Sequence, residues 1–231
     1  IKDEIAMNEA VSSRIRILVC DPIHEEGIRL MREKGFEVEV KPQISAEELE
    51  KILGDYDGLI VRSRTKVTGA IIKRGNRLKV IGRAGAGLDN IDVKSTQERG
   101  IAVVNTPETS AVPVAELTIG LILSLLRKIP QADRSIKEGK WVKKELGGRQ
   151  LEGKTLGLIG LGNIGMKVAE IARSFGVKIL VTKRSVPSRE LLKRAGARYV
   201  PLEELLRESD VVSLHVPLTE ETRKMIGAKQ I

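Results

Sequence analysis

Three glycines at GxGxxG spacing, Gly160, Gly162 and Gly165, stand between a strand-like run at 154–159 and a helix-like run at 166–172. In that setting each glycine has its own use. Gly160 permits a tight turn, Gly162 lets a pyrophosphate approach the backbone, and Gly165 lets the helix pack closely on the strand. The phosphates then meet exposed N–H groups and the positive dipole end of the new helix. Gly160, Gly162, Asn163, Ile164 and Gly165 are therefore candidate cofactor-binding residues, and a ligand-free glycine turn is the simpler alternative. About twenty positions further on, an NAD site ordinarily carries an acidic residue for the adenosine ribose hydroxyls. Here the chain reads Thr182-Lys183-Arg184-Ser185. Two cations and a hydroxyl suit a 2′-phosphate, so Lys183, Arg184 and Ser185 argue for NADP(H) or for relaxed specificity.

A second group of anion-binding residues lies upstream. Arg62, Ser63 and Arg64 follow an apolar run at 58–61, and Arg83 to Gly87 follow another at 79–82. Ligands of open parallel sheets collect at the carboxyl ends of the strands. Guanidinium groups grip carboxylate or phosphate in bidentate fashion, and a glycine-rich turn offers backbone N–H groups to an anion. A small substrate with two or three negative charges fits these residues; solvated strand-end charges are the alternative.

Such residues need a scaffold that ends its strands at one edge. From Arg14 the pattern alternates, with strands at 15–20, 37–40, 58–61, 79–82 and 101–104 and helices at 25–33, 46–53, 69–73 and 93–98. The alternation predicts a parallel sheet covered by helices on both faces. A helix at 114–126, apolar over most of its circumference through Leu117, Leu121 and Leu125, is expected to be largely buried, between two domains. A second helix runs from Pro130 to about 137. A further sheet opens at 155 and continues at 178–182, 199–200 and 211–214, with helices at 166–175, 189–195 and 202–208. Three or four strands make the first half of a doubly wound sheet of six. The expected fold class is α/β with two parallel-sheet domains, a flavodoxin-like one at 1–107 and a Rossmann dinucleotide-binding one at 108–231, the latter incomplete.

Composition agrees with two modest cores. Aromatic residues make up 2% of the 231 residues, so Ile, Leu, Val and Ala must fill the interior, which suits buried parallel strands. The net charge of +9 admits nucleic acid, but Lys and Arg are dispersed among glutamates and few rings are available for stacking. A field that gathers small anions is the better reading, and no metal is expected. No apolar run is long enough to span a bilayer and 1–16 lacks the organisation of a signal peptide, so neither membrane nor export is expected, and the location expected is cytoplasmic. The one cysteine, Cys20, ends an apolar strand and reads as a small buried hydrophobe in a reducing compartment.

Five segments together resemble the D-2-hydroxyacid dehydrogenase family over nearly the whole chain, and within it the phosphoglycerate dehydrogenase branch. They run from Val61 to Thr68, Gly82 to Asp92, Ala115 to Gly120, Gly153 to Gly165 and Ser209 to Thr219. The resemblance implies a substrate-binding domain at 1–107 and an NAD(P)-binding domain at 108–231, with the active site in the cleft between them. It assigns Arg62 and Arg83, with Ser63 beside them, to anion recognition, and the backbone of Gly85, Ala86 and Gly87 to the substrate carboxylate. Val216 and Pro217, in the run His215-Val216-Pro217-Leu218-Thr219, become cofactor contacts. Lys143 and Lys144, after Trp141, match a basic patch that helps hold a phosphate in that branch, with solvated lysines as the alternative.

The implied activity is oxidation of 3-phospho-D-glycerate to 3-phosphohydroxypyruvate in serine biosynthesis, with NAD by family habit, in a homodimer joined through the nucleotide domain. A glyoxylate or hydroxypyruvate reductase is the nearest alternative, and a non-catalytic nucleotide-sensing module is one of another class. The family's catalytic arginine, glutamate and histidine lie beyond Ile231, so no catalytic residue is expected within the sequence. His215 is not read as the acid–base group, and His24 reads as a helix cap or surface residue.

Overall fold

The computed structural model describes residues 14–230, which divide into two compact units, one up to Pro107 and one from Glu108. The first unit holds five parallel strands, β1 (Arg16–Val19), β2 (Glu37–Val40), β3 (Gly58–Val61), β4 (Val80–Arg83) and β5 (Ala102–Asn105), in the order β2-β1-β3-β4-β5. Its helices are α1 (Glu25–Glu33), α2 (Ala46–Ile52), α3 (Gly69–Arg74) and α4 (Val93–Glu98). Successive strand residues point to opposite faces, so Leu18 and Cys20 join a core with Leu49, Ile71 and Ile72, while Ile17 and Val19 pack with Ile28 and Met31. This strand order is that of flavodoxin-like sheets, in which the winding direction reverses between β1 and β3. The last two strands end one residue later than their apolar pattern suggests, because the ladder continues through the polar pair Arg83 and Asn105.

The second unit holds α5 (Ala111–Leu126), α6 (Ile129–Lys137), β6 (Thr155–Ile159), α7 (Asn163–Arg173), β7 (Lys178–Thr182), α8 (Arg189–Ala195), β8 (Ala197–Tyr199), α9 (Leu202–Glu208) and β9 (Val211–Leu214). Its strands are parallel in the order β8-β7-β6-β9, the arrangement 3-2-1-4 of the Rossmann sheet.

Two helices differ from expectation. The first, α5, starts at Ala111 rather than 114, because Pro113 falls in the first turn, where a helix does not need its N–H. Nor is it largely buried: Ala111, Ala115, Ile119 and Ile122 are covered, whereas Leu117, Leu121 and Leu125 are 62%, 57% and 79% exposed. Hydropathy records the tendency to leave water; it does not name the surface that covers a residue. The second, α7, starts at Asn163 rather than 166, with Gly162 as its N-cap and the Met166 N–H donating to the Gly162 carbonyl at 2.9 Å. Among the described residues no helix is long and apolar enough to cross a membrane.

Candidate cofactor and anion-binding sites

In the second unit the chain leaves β6 at Ile159 and turns through Gly160, whose φ of 104° is open to glycine alone among ordinary residues. A Cβ there would press on the His215 carbonyl, 2.7 Å away. Gly165 lies in the first turn of α7, where a Cβ would collide with the Gly160 carbonyl, so the helix can approach the strand only without a side chain. At Gly162 a Cβ would meet nothing within 4 Å; that side of the turn is open. Asn163, Ile164 and Gly165 open α7 with N–H groups that have no partner inside the helix.

A cavity of about 530 Å³ connects Gly160 and Gly162 with Lys183 and Arg184 at the end of β7 and with Val216 and Pro217 after β9. Ser185 is exposed and does not line it. Asn163 faces a neighbouring cavity of about 370 Å³ with Lys167 and Arg194. His215 donates its backbone N–H to the Ile159 carbonyl at 2.8 Å, and its Nε2 lies 3.0 Å from the Ser213 hydroxyl. Burial lowers its pKa from 6.5, keeping the imidazole neutral at neutral pH. The open approach at Gly162, the helix start behind it and the cations at the end of β7 fit the pyrophosphate and adenosine of a dinucleotide.

One wall residue escaped the sequence reading. Glu221 lines the same cavity, with Oε1 3.3 Å from Arg184 Nη2. Its place is set by a turn in which the Thr219 N–H donates to Thr222 Oγ1 at 2.8 Å and the Thr222 N–H donates to Thr219 Oγ1 at 3.2 Å. The paired threonines were the available signal.

In the first unit the candidate anion groups gather beyond β3 and β4. Arg62 and Ser63 are exposed, and Arg83 donates from Nη2 to Ser63 Oγ at 3.2 Å. Gly85, with φ of 150°, leaves room for the Arg83 guanidinium over the turn. The carbonyls of that turn are occupied: Gly85 accepts from the Thr106 N–H at 3.0 Å and Ala86 from Asn105 Nδ2 at 2.7 Å. Among the described residues nothing accepts from the N–H groups of Ala86 or Gly87, and the buried Arg83 Nε also has no partner.

Arg64 has a different place. Its guanidinium donates to the Cys20 and Ile44 carbonyls at 2.5 and 3.1 Å and pairs with the buried Asp21 at 3.0 Å, which makes it part of the scaffold. Asn90 closes the loop from the other side, donating from Nδ2 to the Arg62 and Thr65 carbonyls, each at 2.7 Å. Neither Asp21 nor Asn90 was singled out from sequence, although an aspartate directly after an apolar strand was a usable sign. His24 caps α1, its Nδ1 accepting the Glu26 N–H at 3.2 Å. Lys143 and Lys144 are exposed in a single 3₁₀ turn of the second unit.

The NAD-binding domain of the D-isomer specific 2-hydroxyacid dehydrogenases matches residues 119–231. Hydroxypyruvate reductase of Thermotoga maritima is 50% identical over 220 residues, covering 95% of this chain and 70% of that protein. The chain belongs to the D-isomer specific 2-hydroxyacid dehydrogenase family. Another relative, D-3-phosphoglycerate dehydrogenase of Methanocaldococcus jannaschii, is 48% identical over 218 residues, which are 94% of this chain but 41% of that protein. The chain thus spans less than half the length of that relative. Among solved structures, an NAD⁺-bound 3-phosphoglycerate dehydrogenase of Entamoeba histolytica aligns with a TM-score of 0.78 at 36% identity, over 95% of this chain and 68% of that one. A nicotinamide cofactor is what the family's nucleotide domain takes, in agreement with the glycine turn of this chain.

Proposed function

We propose that this chain supplies the substrate-binding domain, 1–107, and the nucleotide-binding domain, 108–231, of an NAD(P)-dependent dehydrogenase that interconverts 3-phospho-D-glycerate and 3-phosphohydroxypyruvate in serine biosynthesis. The observation that carries the reading is the pairing of Arg83 with Ser63, in the same unit as Arg62 and beside a turn that offers the N–H groups of Ala86 and Gly87. Two guanidinium groups and a backbone nest suit a substrate that is anionic at both ends. A nicotinamide cofactor bound in the nucleotide-binding domain would supply or accept the hydride of the reaction. The residues of this chain bind and orient: the nest holds the carboxylate, the arginines neutralise the second anion, and the glycine turn fixes the pyrophosphate.

Lys183 and Arg184 support NADP(H) as the cofactor, since neither the strand end nor Ser185 offers an acid to the ribose hydroxyls. The exposed Leu117, Leu121 and Leu125 of α5 support a homodimer joined through the nucleotide domain, and the single buried thiol of Cys20 suits the cytoplasm. A hydroxypyruvate or glyoxylate reductase is the second reading, favoured by the same cation pair, which suits NADPH-linked reduction.

Steady-state rates of the dehydrogenase that carries these two domains together with the catalytic arginine, glutamate and histidine, measured with 3-phosphoglycerate, hydroxypyruvate and glyoxylate and each with both nucleotides, separate the readings. The highest kcat/KM is expected for the phosphorylated acid with NADP(H). A higher value for either unphosphorylated acid sinks the substrate assignment. Equal or better efficiency with NAD sinks the cofactor assignment, and nucleotide binding without turnover would point to a sensing module.

A further inference from the structure

The nucleotide cavity contains its own anion. Arg184 and Glu221 face each other at 3.3 Å, both largely exposed, while Lys183 has no acidic partner among the described residues. Glu221 is held there by more than a flexible surface backbone. Besides the reciprocal Thr219 and Thr222 bonds, Thr222 Oγ1 donates to the Pro217 carbonyl at 2.5 Å, which ties the turn to a cavity-wall residue. An NAD site usually has its carboxylate at the end of the second strand, where this chain has Lys183. Here the acid comes from the opposite wall and is directed at the neighbouring guanidinium.

We infer that Glu221 is a cofactor-selectivity residue: its carboxylate competes with a 2′-phosphate for Arg184 and so narrows the margin by which NADP(H) is preferred over NAD(H). The inference rests on the dinucleotide reading above. A guanidinium fork serves a carboxylate or a phosphate with the same donors, and a dianionic phosphate entering the cavity is also repelled by the carboxylate. An exposed ion pair shifts an equilibrium only a few-fold, so the carboxylate can be displaced. It therefore adjusts the preference without abolishing it. Lys183, free of such competition, keeps the site receptive to the 2′-phosphate.

Calorimetric titration of the chain with adenosine 2′,5′-bisphosphate and with 5′-AMP reads the effect without any turnover. E221Q is expected to raise the ratio of bisphosphate to monophosphate affinity by about three- to tenfold at low salt, and by less as salt is added. In an R184A background the same substitution is expected to change the ratio by less than about twofold, because the competition has lost its object. An unchanged or lower ratio in E221Q, or an equal rise with and without Arg184, overturns the inference. A wild-type ratio near one would refute the NADP preference alone, while the E221Q shift still decides the role of Glu221. Binding of neither nucleotide by the wild type overturns the dinucleotide reading and this inference together.

Discussion

The buried carboxylate of Asp21 accepts the backbone N–H of Arg62 at 2.5 Å, across the point where the first sheet reverses its winding between β1 and β3. The same carboxylate accepts the Thr65 hydroxyl at 2.9 Å and pairs with Arg64 Nε at 3.0 Å. Its inner groups satisfied, the loop presents Arg62 and Ser63 outward.

This arrangement separates two neighbouring arginines by experiment. D21A and R64A each leave buried partners unpaired and are expected to cost about 2–4 kcal/mol in urea unfolding of the first unit. R62A should stay within about 0.5 kcal/mol of wild type and instead weaken binding of 3-phosphoglycerate by about tenfold or more in calorimetry. Equal stability of R64A and R62A would contradict the division of roles.

The glycines of the β6–α7 turn should divide in the same way. G162A, whose added methyl meets only open space, is expected to fold within about 1 kcal/mol of wild type yet lose at least about tenfold in dinucleotide affinity. G165A drives a methyl into the Gly160 carbonyl and should cost about 1–3 kcal/mol in thermal or urea unfolding. If G162A binds dinucleotide as the wild type does, the open face is not the phosphate approach.

Much of the scaffold was legible because buried parallel strands are short apolar runs bounded by turns, and β2, β3, β7 and β9 fall where those runs lie. The start of α7 was displaced because glycine reads as a breaker, although as Gly162 it serves as an N-cap. Asp21, Asn90 and Glu221 were hidden for another reason. Each acts on a residue that the topology brings to it, Asp21 on Arg62 from 41 positions away; local pattern can mark the residue, as it does the aspartate after a strand, but not the partner it meets.

The uncovered stripe of α5 gives a third prediction. Leu121 and Leu125 expose large apolar side chains one turn apart, and a charge placed there leaves the folded monomer in water while opposing any apolar partner surface. L121D and L125D are expected to sediment as monomers with unchanged circular dichroism, whereas the wild type sediments as a dimer. A monomeric wild type at micromolar concentration would refute the homodimer.

Acid sensitivity should trace partly to Asp57. It accepts the Arg16 N–H at 3.0 Å and pairs with Arg77 at 3.1 Å, and these contacts hold its pKa below the ordinary 3.8. A depressed carboxylate contributes stability that is present above its unfolded pKa and is lost as pH falls through the folded one. Below about pH 4 the first unit should therefore weaken as Asp57 protonates. D57N, already destabilised at neutral pH, should show a shallower acid limb in urea midpoints measured from pH 6 to pH 2.5. Parallel limbs would assign the acid loss to other carboxylates.

Cys20 is the only thiol of the sequence, fully enclosed in the first unit with its pKa pushed up to about 12 by burial, while the only indole, Trp141, stands exposed in the second. The chain thus carries one native chemical reporter per unit. A maleimide or disulfide reagent can modify Cys20 only when the sheet around it opens, so the labelling rate measures the opening equilibrium of that unit in the folded protein. Trp141, already in water in the folded unit, reports instead on whatever comes to cover it. Nucleotide that slows the labelling of Cys20 would reveal that ligand binding in the second unit restrains the first, with no probe engineered into either.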